Sequence, residues 1–141
     1  MNALVAIVLC TAQAFAKNPK LKYEPNIVEL RGALDLQTFP GAPNYESVRK
    51  GDDPERHFYL KVDHPFDVDA DPKGPVEEAV AERNVRIIQL SIDEEDDKLW
   101  KKFRSAGMGA NVVISGTLFH RFDGHHHSRI LMAVTKFETK P

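Results

Sequence analysis

A mainly β domain capped by one α-helix is the fold class this sequence predicts, and three observations predict it. Five segments alternate apolar and polar residues with period two. One acidic-to-basic segment with an apolar stripe at helical spacing separates the third from the fourth. Glycines, Gly32 and Gly116, stand inside two of the alternating segments and suit the sharp bends of a small closed barrel. Five strands with a helix between the third and fourth is the plan of an oligonucleotide/oligosaccharide-binding (OB) barrel.

The first expected strand, Ile27 to Phe39, turns Val28, Leu30, Leu34 and Leu36 inward with Gly32 in step, and Glu29, Arg31, Asp35 and Gln37 outward. The second, His57 to Asp63, has Phe58, Leu60 and Val62 inside and His57, Tyr59, Lys61 and Asp63 outside. A short helix from Pro75 to Arg83 is expected to bury Val76, Ala79 and Val80. The third strand, Val85 to Ile92, carries Ile88, Leu90 and Ile92. The capping helix follows, with Asp93 as N-cap, Lys101, Lys102 and Arg104 in the last turn, and Gly107 past the end. Leu99, Trp100, Phe103 and Ala106 form its apolar stripe, so its acids are read as helix-terminus electrostatics. The fourth strand, Asn111 to Phe122, carries Val112, Ile114, Gly116 and Leu118, and the fifth, Ser128 to Phe137, carries Ile130, Met132 and Val134.

The chain has 141 residues, a formal charge of −2 and one cysteine. That excludes a disulfide framework, a cysteine-based zinc cluster and the basic excess of a nucleic-acid scavenger. Met1 to Ala16 is uncharged and ends Ala14-Phe15-Ala16, the small-x-small pattern of a signal-peptidase site. Such a run is too short to span a bilayer. We therefore expect a signal peptide over 1–16, a flexible lead-in over 17–22, a single domain over 23–138, no membrane span in the mature protein, and a periplasmic or secreted location.

The most unusual segment is Gly116-Thr-Leu-Phe-His120-Arg-Phe-Asp-Gly124-His-His-His127. A two-residue turn at Asp123-Gly124 would place Leu118 opposite Arg129 and mismatch the apolar faces. A three-residue loop, Phe122 to Gly124, aligns Leu118 with Ser128, Gly116 with Ile130 and Ile114 with Met132, and pairs His120 with His126. His125, His127 and Arg121 then point the other way. Opposed imidazoles suit a transition metal such as Zn, Cu or Ni, with a third ligand from Glu46 or His57 and with His125 and His127 nearby. The plain alternative is a solvated rim in which His120 hydrogen-bonds a carbonyl.

The long connection from Pro40 to Arg56 is the second unusual segment, and loops of that length are often functional. In an OB barrel it flanks the same ligand face as the histidine hairpin, which makes Tyr45 and Glu46 candidate ligand-binding residues beside His120 and His126. Glu46, Asp52, Asp53 and Glu55 are read as solvated loop acids. The sequence has no phosphate-binding glycine loop, nucleophile elbow or His-Glu-x-x-His helix, and Ser47 and Ser115 have no base and acid arranged around them. An enzyme is not expected. Tyr59, Lys61 and Arg86 are too few for a strong single-strand nucleic-acid face.

Glu24-Pro-Asn-Ile-Val-Glu-Leu-Arg-Gly32, Thr38-Phe-Pro-Gly with Asn44-Tyr-Glu-Ser47, Gly51-Asp-Asp-Pro-Glu55 and the histidine segment occur in that order. Together they resemble an uncharacterised family of exported bacterial proteins, a domain of unknown function, and in particular the small exported proteins of Burkholderia and its relatives. The resemblance implies export and an OB-like barrel and carries no catalytic assignment. Its candidate residues are Tyr45, Glu46, His120 and His125 to His127. The expected function is a non-enzymatic binding module for a peptide, glycan or protein partner. The alternatives are transition-metal binding or sensing through the histidines, and a periplasmic immunity-type inhibitor of a toxin.

Overall fold

A computed structural model describes residues 16–141, so the expected signal segment lies, Ala16 apart, outside the described residues. The described chain is mainly β, with strands β1 (Lys20–Lys22), β2 (Ile27–Pro40), β3 (Pro54–Asp69), β4 (Glu82–Ser91), β5 (Asn111–His120) and β6 (Ile130–Thr139). One helix, α1 (Asp97–Ala106), lies between β4 and β5. Six strands replace the expected five. The extra one, β1, falls in the lead-in expected to be flexible: it pairs in parallel with the end of β3, and Leu21 packs against the core.

Pairings run β3–β2–β5–β6–β4 and return from β4 to β3, so the strands form a ring. β4 and β6 are parallel and the other ring contacts antiparallel. Two long strands make this closure possible. β2 pairs with β5 through its first half and with β3 through its second, changing partner at Gly32 and Ala33. A β-carbon on Gly32 would lie 2.0 Å from the Lys61 carbonyl oxygen, so only glycine lets the strands cross this closely. Gly116 meets the same constraint beside a bulge, 2.1 Å from the Ala133 carbonyl oxygen.

The inward residues read from the alternation form the core: Leu34, Leu60, Ile88, Ile114, Leu118 and Met132 are essentially inaccessible. Leu99 and Phe103 of α1 close one side, with the Phe103 ring tilted 47° against Phe137 at a centroid distance of 4.3 Å. α1 begins later than expected. Asp96, not Asp93, caps it by accepting the Leu99 N–H at 2.9 Å, because Asp93 makes its own turn and gives its carbonyl to the Trp100 indole.

Two further expectations are corrected. The Pro75–Arg83 helix is only a single 3₁₀ turn over Val76–Ala79, with Val76 and Val80 exposed and Glu78 buried. The chain there is held extended by its ends: the Tyr23 hydroxyl donates to the Val80 carbonyl at 2.8 Å, and Asp67 accepts the Asn84 N–H. The β5–β6 register is the second correction. Leu118 pairs with Met132 and His120 with Ile130, four residues from the expected alignment. The parity demanded by the apolar faces survives an even shift. Ile130 and Met132 fill the interior where the shorter loop would have put Ser128, and residues 121–129 become a wide loop closed at its base by the Arg121 N–H on the Arg129 carbonyl.

Gly116→Ala should cost about 3 kcal/mol in urea denaturation, the upper end for overpacking, while Gly124→Ala, with open space around it, should stay within about 0.5 kcal/mol.

Candidate functional site

The β2–β3 connection is built around Asp52. Its buried carboxylate accepts the backbone N–H groups of Asn44, Glu46 and Ser47 at 2.8–2.9 Å and the Asn44 side-chain amide at 3.1 Å. Hydrogen bonds from Ser47 and Glu46, then Asn44, outweigh desolvation and hold its pKa down at about 2. Asp52 is thus the loop's organiser, not a solvated acid. The turn it fixes places Tyr45 in the left-handed region (φ 58°), 57% exposed. Glu46 contributes its backbone N–H, and its side chain is exposed to solvent.

The histidine loop is fixed from β4. Gln89 points outward and is 3% exposed because residues 121–129 cover it. Its Oε1 accepts the His127 N–H at 2.7 Å, and its Nε2 donates to the His125 carbonyl at 2.9 Å. Its backbone N–H donates to Ser128 Oγ, and Ser128 donates onward to Ile130. The His127 ring then lies flat on Phe39, with centroids 3.7 Å apart and planes 2° apart. Tyr59, expected on the solvent face, is buried under this lid, and desolvation followed by the charge of Glu55 pushes its hydroxyl up to about 12.

The covered face concentrates imidazole around one carboxylate. Glu55 and His57 are two apart on β3 and share a face, opposite Phe39 and Gln37 of β2. Glu55 Oε1 accepts His57 Nε2 at 2.9 Å and also His125 Nδ1. Burial raises the Glu55 pKa, but hydrogen bonds from His125 and His57 and their charge outweigh it, leaving it below the usual value. His125 is raised, first by the Glu55 hydrogen bond. His127 and His126 are lowered from the usual imidazole value, first by burial and then by the neighbouring imidazoles. One nitrogen each from His57 and His127 and one Glu55 oxygen lie within 4.8 Å of one another.

The expected residues divide between two places. Tyr45 meets His125 edge-on at 6.4 Å, so the long connection and the histidine loop touch. His126 accepts the Phe122 N–H and packs edge-on against Phe122 and Phe119. His120 and His126 are not an opposed pair. His120 Nε2 bonds Glu82 at 3.0 Å, and Glu82 also holds Arg129 at 2.7 Å. Its Nδ1 approaches the Arg121 carbonyl, the contact expected of a solvated rim. Sequence reasoning missed Phe39, Gln89 and Glu82 and read Glu55 as solvated. The outward parity of β2, β3 and β4 was the signal that could have linked Phe39, Glu55, His57, Tyr59 and Gln89.

Glu55, His57 and His125 of this cluster also line a cleft of about 350 Å³, together with Arg56, Phe58, Ser91, Ile92, Trp100 and His126. It opens where β3 and β4 separate: their pairing stops at Tyr59 and Gln89. Beyond that point β3 is paired only to β2, and β4 only to β6, so each presents a free edge to the cleft.

Residues 87–138 match the family model described as a domain of unknown function, DUF4431. The match runs from β4 through β6. It contains Gln89, His120 and the histidine loop and leaves Tyr45, Glu55 and His57 outside. No curated protein matches the chain.

Two outcomes follow for this cluster. Gln89→Ala leaves buried loop groups unpaired and should cost about 2–3 kcal/mol, with the His127 amide losing its protection from hydrogen exchange. His125, whose folded pKa is raised, contributes stability below the unfolded value of 6.5 and loses it as pH rises through the folded value. Glu55, depressed from 4.5, contributes above that value and loses it as pH falls through its folded value. NMR titration should therefore place His125 above 6.5 and His126 and His127 below it. Glu55→Gln should return His125 toward 6.5, and titration of His125 at or below His127 would contradict the pairing.

Proposed function

We propose that this protein is an exported, non-enzymatic OB-type binding module that takes an extended peptide segment of a protein partner in the cleft between β3 and β4. The OB reading is supported by the pairing order of β2 to β6, by the parallel contact of β4 with β6, and by the place of α1 between β4 and β5. In OB barrels the ligand lies on the second and third strands, flanked by the loops joining strands one to two and four to five. Those are β3 and β4 here, with the Tyr45 connection and the histidine loop at their sides. Export is supported by the Met1–Ala16 signature.

The observation that carries the peptide reading is the pair of free strand edges facing each other across the cleft. Backbone N–H and C=O groups on such edges are satisfied by an added extended chain, and the neighbouring pockets select its side chains. The cleft volume suits a few residues. Arg56 is balanced by Glu55 and Glu94, which disfavours a phosphate backbone as the occupant. Binding, not catalysis, fits the ionisable groups: His57 and His125 both bond Glu55, and the Ser128 hydroxyl is engaged by Gln89 and Ile130.

Peptides selected from a random library on the tag-free protein should perturb the backbone amides of Arg56, His57, Ser91 and Ile92 in NMR spectra. Ser91→Trp, which fills the cleft from an exposed position, should weaken them by at least about tenfold, or 1.4 kcal/mol. Selected peptides that bind elsewhere, or that bind Ser91→Trp unchanged, would overturn the reading.

A further inference from the structure

We propose that Glu55, His57 and His127 form a binding site for one late first-row divalent ion, of the Zn²⁺, Cu²⁺ or Ni²⁺ class. The site differs from the opposed His120–His126 pair that the sequence suggested, and, although Glu55 and His57 also line the cleft, it does not depend on the peptide reading. Three features carry it.

The first is the donor set. Two imidazole nitrogens and one carboxylate oxygen suit borderline transition metals, whereas Ca²⁺ and Mg²⁺ favour shells built of oxygen. The second is spacing. The three donor atoms already lie within 4.8 Å of one another. Metal–ligand bonds of roughly 2.0–2.2 Å bring neighbouring donors to roughly 3.3–3.5 Å. Closing that gap takes side-chain rotation of about an ångström on partly exposed groups. Glu55 and His57 project from one face of β3, so both approach the ion from the same side.

The third is preorganisation. His127 belongs to a loop, yet its backbone N–H is held by the Gln89 amide at 2.7 Å and its ring lies flat on Phe39. His125 donates to the same Glu55 oxygen that His57 reaches. A second hydrogen bond of that kind orients a ligating carboxylate. On binding, the ion displaces the proton that His57 and Glu55 share, and that proton leaves to solvent. Three protein ligands leave at least one coordination position for water or for a donor from another molecule.

The test is calorimetric titration of the tag-free full chain with ZnCl₂, and separately with a soluble Cu²⁺ salt followed by electron paramagnetic resonance. One ion per chain is expected, with nitrogen hyperfine structure from two imidazoles on copper. His57→Gln and His127→Gln should each weaken binding by about tenfold or more, while far-ultraviolet circular dichroism remains that of the parent. His64→Gln removes an exposed histidine outside the site and should leave affinity unchanged. The proposal is overturned if the parent binds no ion, if His57→Gln and His127→Gln bind as the parent does, or if His126→Gln weakens binding more than His57→Gln. The last result would assign the ion to the run of three histidines alone.

Discussion

A buried primary amide needs partners for its N–H and C=O groups, and Gln89 finds them by holding residues 121–129 against the outer face of β3 and β4. Its side chain grips the loop on both sides of His126, through the His125 carbonyl and the His127 N–H. Most of what distinguishes the outer face follows from that grip. His127 reaches Phe39, Tyr59 is sealed from water, and His125 comes to the carboxylate that His57 already bonds. Asp52 plays the corresponding part on the other side, gathering three backbone N–H groups so that Tyr45 stands at the edge of His125.

Period-two alternation made the ring strands legible, because a half-buried strand has one apolar face and Leu34, Leu60, Ile88, Ile114 and Met132 follow it. The glycines were legible for a steric reason: Gly32 and Gly116 lie where a neighbouring carbonyl leaves no room for a β-carbon. The register of the last two strands was not legible. Alternation fixes parity, and from Gly116 to His120 a slide of four residues keeps parity while changing every partner, with the bulge between Ser115 and Gly116 adding a fifth beyond it. The three-residue Phe122–Gly124 loop that the sequence suggests gives way to a wider one, which sets the buried Met132 rather than Ser128 opposite Leu118.

The outer cluster was hidden for a related reason. Outward residues on strands are read as facing water, and Glu55, His57, Tyr59 and Gln89 all face outward. No local pattern shows that a loop from elsewhere covers them. Hence the histidines were grouped by sequence proximity, whereas the structure sorts them by chemistry. His120 goes to the buried Glu82 with Arg129, and His125 and His127 go to Glu55 and Phe39. The family match covers the loop and its Gln89 anchor but neither the β3 residues they meet nor the Glu82 that holds His120.

The central claim is that the histidine loop is a fixed lid on β3 and not a solvated turn. Nuclear Overhauser contacts between the ring protons of His127 and Phe39, in the unliganded protein, test it most directly. The structure predicts strong contacts together with upfield ring-current shifts for His127, as required by rings stacked 3.7 Å apart. Random-coil shifts for His127 and no contact to Phe39 would contradict it.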